Sequence, residues 1–266
     1  MENNKFQKEL NFAVRIAKYA GKIMLKYLSN NNSFHYKSDN SIVTQADTEI
    51  NAYLIEQARK YFPTYAVDGE EEKFGKSTFV WVCDPIDGTA MFASRIPVAV
   101  FSLALVIEGK SQLGVVYDPF MKKLYTAVVG NGAYLNGKKI SVNRYQWGDK
   151  ETIIGFDMVP YSEWNFYEIL KDNWKKSNYV SIGSCIRSCM CVAEGGFTAH
   201  LFCGSKGKNC DIAAVKVIVE EAGGKVTDIF GNEQDYDKDI KGALVTNGTS
   251  HDEILMKIKK YIKPEE

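Results

Sequence analysis

The chain has no excess of charge of either sign: 33 basic residues balance 33 acidic ones, and the sequence pI is about 6.8. It therefore lacks a broad basic field to gather nucleic acid or an acidic lipid surface, and a small ligand is the expected partner. Its six cysteines, Cys83, Cys185, Cys189, Cys191, Cys203 and Cys210, include no C-x-x-C pair and lie mostly in apolar segments. That argues against both a zinc-ligand spacing and a disulfide framework. The longest apolar run, Ile96 to Ile107, is too short to span a bilayer, and Met1-Glu2-Asn3-Asn4-Lys5 lacks the charged-then-apolar order of a secretion signal. Internal repeats and low-complexity segments are also missing. The expectation is a soluble, reduced, cytoplasmic protein with no nucleic-acid or membrane partner, whose 266 residues suffice for a proper core.

What the sequence does contain is concentrated in Trp81-Val82-Cys83-Asp84-Pro85-Ile86-Asp87-Gly88-Thr89. Phe79 to Cys83 is continuously apolar, as in a strand buried on both faces. The strand is expected to stop at Asp84-Pro85, because proline has no N–H for the ladder. Two carboxylates at the end of a buried strand are costly without a positive partner, and a divalent, oxygen-seeking cation is the simplest one. Gly88 and Thr89 then offer backbone N–H groups and a hydroxyl to an anion. Asp-Pro and Asp-Gly are equally ordinary turn formers, so this stretch alone leaves a turn and a metal site both open.

Along the chain, Phe6, Leu10, Ala13, Ala17, Ala20, Met24 and Leu28 recur at helical spacing. Thr44-x-x-Asp47 has capping-box spacing before Ile50, Leu54 and Ala58, so Asp47 taken alone reads as a helix-start residue. Tyr65-Ala66-Val67 is a short strand running into Glu70-Glu71-Glu72, which in isolation is a solvated loop; its short connection to the Phe79 strand could bring Glu70 beside Asp84. Val98–Glu108, Gln112–Tyr117 and Lys123–Val128 read as an antiparallel meander, followed by a hairpin through Ala133-Tyr134-Leu135. Polar residues from Arg144 to Lys150 mark the expected boundary between an N-terminal half, 1–148, and a C-terminal half, 149–266, of one catalytic unit. The second half alternates: strands near Thr152–Phe156, Tyr179–Ser181, Ala199–Phe202 and Ala243–Thr246, with helices at Ser162–Lys171, Cys185–Glu194, from Asp211, and Ser250–Ile262. Asp211 taken alone is a helix cap.

Taken together and in order, Val43-Thr44-x-x-Asp47, Gly69-Glu70-Glu71, Asp84-Pro85-Ile86-Asp87-Gly88-Thr89 and Asp211-x-Ala213-Ala214, ending in Glu221-Ala222-Gly223-Gly224, resemble the inositol monophosphatase family over nearly the whole chain. The resemblance implies an α+β fold, the layered α-β-α-β-α sandwich of the inositol monophosphatase and fructose bisphosphatase type. It implies a lithium-sensitive phosphomonoesterase with two or three Mg²⁺ ions per site, acting on a small phosphorylated metabolite and often homodimeric. Carried over by position, Glu70, Asp84, the Ile86 carbonyl, Asp87 and Asp211 look like metal ligands. Asp87, Gly88 and Thr89 look like the phosphate cradle. Asp47 and Thr89 resemble the pair that orients and helps deprotonate the attacking water, with Glu70 part of the same catalytic set. Such chemistry is mainly positioning and charge neutralisation.

Several positions depart from the family pattern. Ala90-Met91 replaces x-Asn, Cys210 replaces a tryptophan, and no acidic residue occupies Leu201 to Lys208, where inositol-using members place a glutamate. An apolar or basic lip, with Phe202, Lys206 and Lys208, suits a less hydroxylated substrate or one with a second phosphate; Ser184, Cys185 and Arg187 are further candidates for substrate contact. Lys37-x-Asp39-x-Ser41 is similar to members acting on histidinol phosphate or 3′-phosphoadenosine 5′-phosphate. The expected function is Mg²⁺-dependent hydrolysis of an inositol-monophosphate-like polyol or sugar phosphate. The alternatives are histidinol phosphate, 3′-phosphoadenosine 5′-phosphate or fructose 1,6-bisphosphate as substrate, or a non-catalytic metal- and phosphate-binding regulator. A haloacid-dehalogenase-type site is rejected, because two residues rather than one separate Asp84 from Asp87.

Overall fold

The computed structural model describes residues 5–29, 34–37, 42–157, 171, 177–202 and 209–261. Helix α1 (Gln7–Ser29) buries Phe12, Ala13, Ile16, Ala17, Ala20 and Met24, a stripe recurring every three or four residues. After the short ribbon β1 (Phe34–Tyr36) and β2 (Ile42–Thr44), helix α2 (Gln45–Tyr61) starts at a capping box in which Asp47 accepts from the Thr44 N–H. Both helices lie on one face of an eight-stranded sheet.

That sheet comprises β3 (Ala66–Gly69), β4 (Lys73–Phe74), β5 (Phe79–Asp87), β6 (Val100–Ile107), β7 (Lys110–Asp118), β8 (Lys123–Val128), β9 (Ala133–Leu135) and β10 (Lys138–Lys139), in the order β10-β9-β8-β7-β6-β5-β3-β4. From β5 to β10 each strand pairs antiparallel with the next, the expected meander. Its central strands send alternate residues to two cores. Trp81, Cys83, Phe101, Leu103 and Leu105 face α1 and α2, while Val80, Val82, Val100, Ala104 and Val106 face the opposite layer.

The opposite layer holds two helices, α4 (Cys185–Ala193) and α5 (Asn209–Glu221), sandwiched against a five-stranded sheet. In that sheet β11 (Ile153–Phe156), β12 (Asn178–Val180), β13 (Ala199–Phe202), β14 (Lys225–Thr227) and β15 (Ala243–Thr246) run in the order β12-β11-β13-β15-β14. Helix α6 (His251–Lys259) covers its outer face through Ile254 and Ile258. The layers are thus α-β-α-β-α. Strand β14 carried no sequence signal strong enough to be expected. The helix anticipated at Ser162–Lys171 lies almost wholly outside the described residues.

Two local features place the acidic residues. The expected stop at Asp84-Pro85 does not occur, and β5 runs on to Asp87. Its register against β6 slips, from Asp84 opposite Ser102 to Asp87 opposite Val100. This bulge accommodates the missing proline N–H and leaves Asp84 and Asp87 on one rim. β3 pairs parallel with β5, Gly69 opposite Cys83, and the Glu70 N–H donates to the Cys83 carbonyl at 3.0 Å. Glu70 is thereby set beside Asp84. The short helix α3 (Thr89–Ala93) follows Gly88, whose φ of 85° is left-handed. A Cβ there would lie 3.0 Å from the Gly183 carbonyl and 3.1 Å from Ser184 Cβ.

Helix α5, which carries Asp211, rests on β7 at Gly114, where an added Cβ would sit 2.5 Å from the Ala214 carbonyl oxygen. Gly114→Ala therefore has to lift α5 off the sheet. The expected cost is about 1–3 kcal/mol in urea unfolding, with weaker Mg²⁺ binding as α5 moves.

Candidate active site

Oxygen atoms of Asp84, Asp87 and Asp211 lie within 4.8 Å of one another, and Glu70, Asp84 and the Cys210 thiol form an overlapping group of the same tightness. Asp84 belongs to both groups. Asp84 and Asp87 are buried, while Glu70 and Asp211 are half-buried. The carboxylates come from the Glu70 turn, the β5 bulge and the first turn of α5, so only the packed layers unite them. A rim of buried, mutually repelling carboxylates fits a hard divalent cation, and the donor set is the oxygen-rich kind that suits Mg²⁺.

The rim is held open by short local bonds. Asp84 Oδ1 accepts from the Ile86 N–H at 2.9 Å, and Thr89 Oγ1 donates to the Ile86 carbonyl at 2.8 Å. Asp87 Oδ2 accepts from the Ser184 hydroxyl and, in the first turn of α4, from the Ile186 N–H at 2.8 Å. Burial pushes the Asp87 carboxyl above its ordinary value; the Ser184 hydrogen bond opposes this, and Asp157 and Glu70 add to it.

Asp47 is fully buried, and its Oδ2 accepts from the Thr44 N–H at 2.8 Å and the Thr44 hydroxyl at 2.6 Å. Its Oδ1 is buried with no hydrogen-bond partner. Desolvation raises its carboxyl to about 7 against the Thr44 bonds, with Glu70 and Glu71 contributing. The helix-start and catalytic readings of Asp47 are therefore compatible: one oxygen caps α2 and the other is left over. Thr89 bonds to Ile86 rather than to Asp47, although α3 packs against β2, the strand that ends in Thr44.

The residues proposed for the substrate lip separate. Ser184 is buried and caps α4, accepting from the Arg187 N–H at 3.2 Å while holding Asp87. Cys185 is buried directly after it, and Phe202 is packed into the central core at the end of β13. Lys206 and Lys208 lie outside the described residues. Arg187 needs correction. Its side chain is neither at the cage nor on the surface; it is buried along α4 and pairs with Asp118 at 3.4 Å and Glu194 at 3.3 Å. Its charge is satisfied between α4 and the end of β7, where those two carboxylates outcompete the pocket.

Other groups at the site had little or no sequence signal. The Lys37 ammonium bridges Glu70 at 3.0 Å and Glu71 at 2.6 Å, so the first two glutamates of the run are anchored while Glu72 is exposed. Cys210, noted only as a departure, brings its thiol to the cage. Asp157 faces Asp87 electrostatically and bonds to His200, a placement decided by where β11 ends. Cys210 directly precedes the motif residue Asp211, and Lys37 opens Lys37-x-Asp39-x-Ser41, but no spacing rule points to Asp157.

The family model described as the inositol monophosphatase family matches residues 5–263. A Thermotoga maritima protein named fructose-1,6-bisphosphatase/inositol-1-monophosphatase is 29% identical over 255 residues, covering 96% of this chain and 97% of that one. A Dictyostelium discoideum inositol monophosphatase is 31% identical over 251 residues, covering 89% of this chain and 90% of that one. Among solved structures, an IMPase/NADP phosphatase complexed with Mg²⁺ and phosphate superposes with a TM-score of 0.84 at 28% identity, covering 98% of this chain and 99% of that one.

The raised carboxyls of Asp47 and Asp87 couple metal binding to pH. Their protonated forms are favoured in the folded, metal-free protein, so their destabilisation is fully present above about pH 7 and is relieved as pH falls toward the unfolded value of 3.8. Mg²⁺ needs the ionised cage and removes that repulsion. The rise in melting temperature on adding Mg²⁺ should therefore be larger at pH 8 than at pH 6, as differential scanning fluorimetry with and without the ion would read.

Proposed function

The chain belongs to the inositol monophosphatase family and is a Mg²⁺-dependent phosphoric monoester hydrolase; we propose that the ester it cleaves is a small, inositol-monophosphate-like polyol or sugar phosphate. Glu70, Asp84, Asp87, Asp211 and the Ile86 carbonyl are the groups that would hold the metal, and the two overlapping acidic groups sharing Asp84 support two adjacent ions. When bound, Mg²⁺ supplies charge neutralisation for the phosphoryl oxygens and acidifies water.

The observation that carries the mechanism is Asp47 Oδ1, a buried carboxylate oxygen without a partner beside an acidic rim. Thr44 saturates the other oxygen and fixes the plane of the carboxylate. Burial raises the Asp47 carboxyl to about 7 before metal binds, and its unpartnered Oδ1 is the atom placed to accept a proton from water. Thr89 and Gly88 lie next to the rim, and the Gly88 backbone can adopt its left-handed turn without a side chain in the way of a phosphate. Asp87, steadied by Ser184 and Ile186, orients the ester against that cradle. Lys37 keeps Glu70 at the cage edge.

The same chemistry on histidinol phosphate, 3′-phosphoadenosine 5′-phosphate or fructose 1,6-bisphosphate is the alternative, favoured by the absence of an acidic residue from Leu201 to Lys208. A cytoplasmic location, on the cysteine usage, and a homodimer, on the family likeness, complete the reading. Among the described residues no helix is long and apolar enough to cross a membrane.

Phosphate release with Mg²⁺ across a panel containing inositol monophosphates, those three esters and NADP tests the substrate. The polyol reading requires the highest kcat/KM on an inositol or sugar monophosphate; a nucleotide or histidinol phosphate at the top transfers the assignment. Asp84→Asn and Asp211→Asn should abolish turnover while leaving the circular dichroism spectrum intact. Asp47→Asn should lower kcat by about 10²–10⁴ with little change in KM, as expected for loss of a general base.

A further inference from the structure

Behind the carboxylate cage, α4 and β13 build a second group of metal-type donors. Cys185 and Cys189 stand four residues apart on α4, and so on the same helix face. Their two sulfurs and one imidazole nitrogen of His200 lie within 4.8 Å of one another, and all three residues are buried. Both cysteines are free thiols. The lack of a C-x-x-C pair concealed this arrangement, because here a helical turn and a neighbouring strand supply the convergence.

The imidazole is set up as a metal ligand is. Its Nε2 pairs with Asp157 Oδ2 at 3.0 Å, the carboxylate–histidine arrangement that orients ligating rings. Its Nδ1 is wholly buried and has no hydrogen-bond partner, an orphan that ordinarily calls for a ligand. Gly155, opposite His200 in the sheet register, keeps a side chain off that nitrogen: a Cβ on Gly155 would be 2.7 Å from it. Two sulfurs and an imidazole are soft or borderline donors that discriminate against Mg²⁺.

We propose that Cys185, Cys189 and His200 form a second metal site for a thiophilic cation of the Zn²⁺ or Cd²⁺ class, with Asp157 orienting the histidine. Zinc–ligand bonds of about 2.0–2.3 Å require the donors to draw together by small side-chain adjustments. Three protein donors leave a fourth position for a small ligand. Binding displaces the thiol proton that burial holds tightly at Cys185 and the proton of His200, whose imidazole burial disfavours in its charged form but Cys189, Asp157 and Asp87 raise to about 9, so affinity rises with pH. The site also adjoins the catalytic groups, because Cys185 lies between Ser184 and Ile186, the two residues that hold Asp87.

The test reads the metal directly and does not depend on phosphatase activity. Reduced Cys210→Ser protein, which lacks the thiol at the cage, is titrated with Cd²⁺ in saturating Mg²⁺ while thiolate-to-cadmium charge-transfer absorbance is followed. The expected result is saturation at one equivalent with an amplitude for two thiolates. Cys189→Ala should remove at least half of that amplitude and weaken binding at least tenfold, whereas Cys191→Ala should change neither. Cadmium NMR of the unmutated protein should place one resonance in the mixed sulfur–nitrogen region, a readout free of any folding defect in the variants. No saturable thiolate band, a band unaffected by Cys189→Ala, or cadmium signals confined to the all-oxygen region would overturn the proposal.

Discussion

Electrostatic repulsion within the acidic rim is the constraint on which the rest of this structure depends. Two unit charges 4.8 Å apart repel by roughly 3–4 kcal/mol at an effective dielectric of about 20. Asp84, Asp87 and Asp211 meet at that separation with Glu70 alongside, and two of them are buried. Such a cluster persists only where rigid elements hold it and a cation compensates it. The eight-stranded sheet supplies the rigidity through β5, which is buried on both faces and flanked by β3 and β6. The raised carboxyls of Asp47 and Asp87 express the same repulsion and desolvation as proton affinity.

Three of the five layers contribute to this arrangement. α2 delivers Asp47 through its cap, the β5 bulge delivers two aspartates, α4 steadies Asp87 with Ser184 and Ile186, and α5 brings Asp211. Glycines set the contact distances where a side chain would separate the layers, at Gly88 against Gly183 and at Gly114 against Ala214. The interior of α4 is itself polar: Arg187 is locked by Asp118 and Glu194, and the Cys185–Cys189–His200 group lies behind the cage. Removing one partner of such a buried ion pair is strongly destabilising, because a charge is stranded.

Much of the fold was legible in the sequence because its signals are local. The α1 stripe, the Thr44–Asp47 capping box and the strands Lys123–Val128, Ala199–Phe202 and Ala243–Thr246 follow from periodicity and turn residues within a few positions. The end of β5 is not legible in the sequence, because Asp84-Pro85 has the form of a strand terminator. A bulge instead carries the strand past Pro85, which only the pairing with β6 reveals. β14 has no sequence signature, because three residues between a helix cap and a loop carry no periodicity.

By itself the sequence determined the order of the acidic motifs and the identity of the residues they carry, because these depend on local chemistry; the layered architecture followed only from the family resemblance that the succession of motifs carries. Only the tertiary structure decided that Glu70 reaches Asp84 through parallel pairing of β3 with β5, and that Lys37 and Cys210 join them. It also decided that Arg187 turns away to Asp118 and that Asp47 keeps one oxygen unpartnered. These outcomes depend on register, on bulges and on which face meets which layer, and they join residues far apart in sequence. Such contacts are set by packing free energy summed over the whole core rather than by any residue's own propensity.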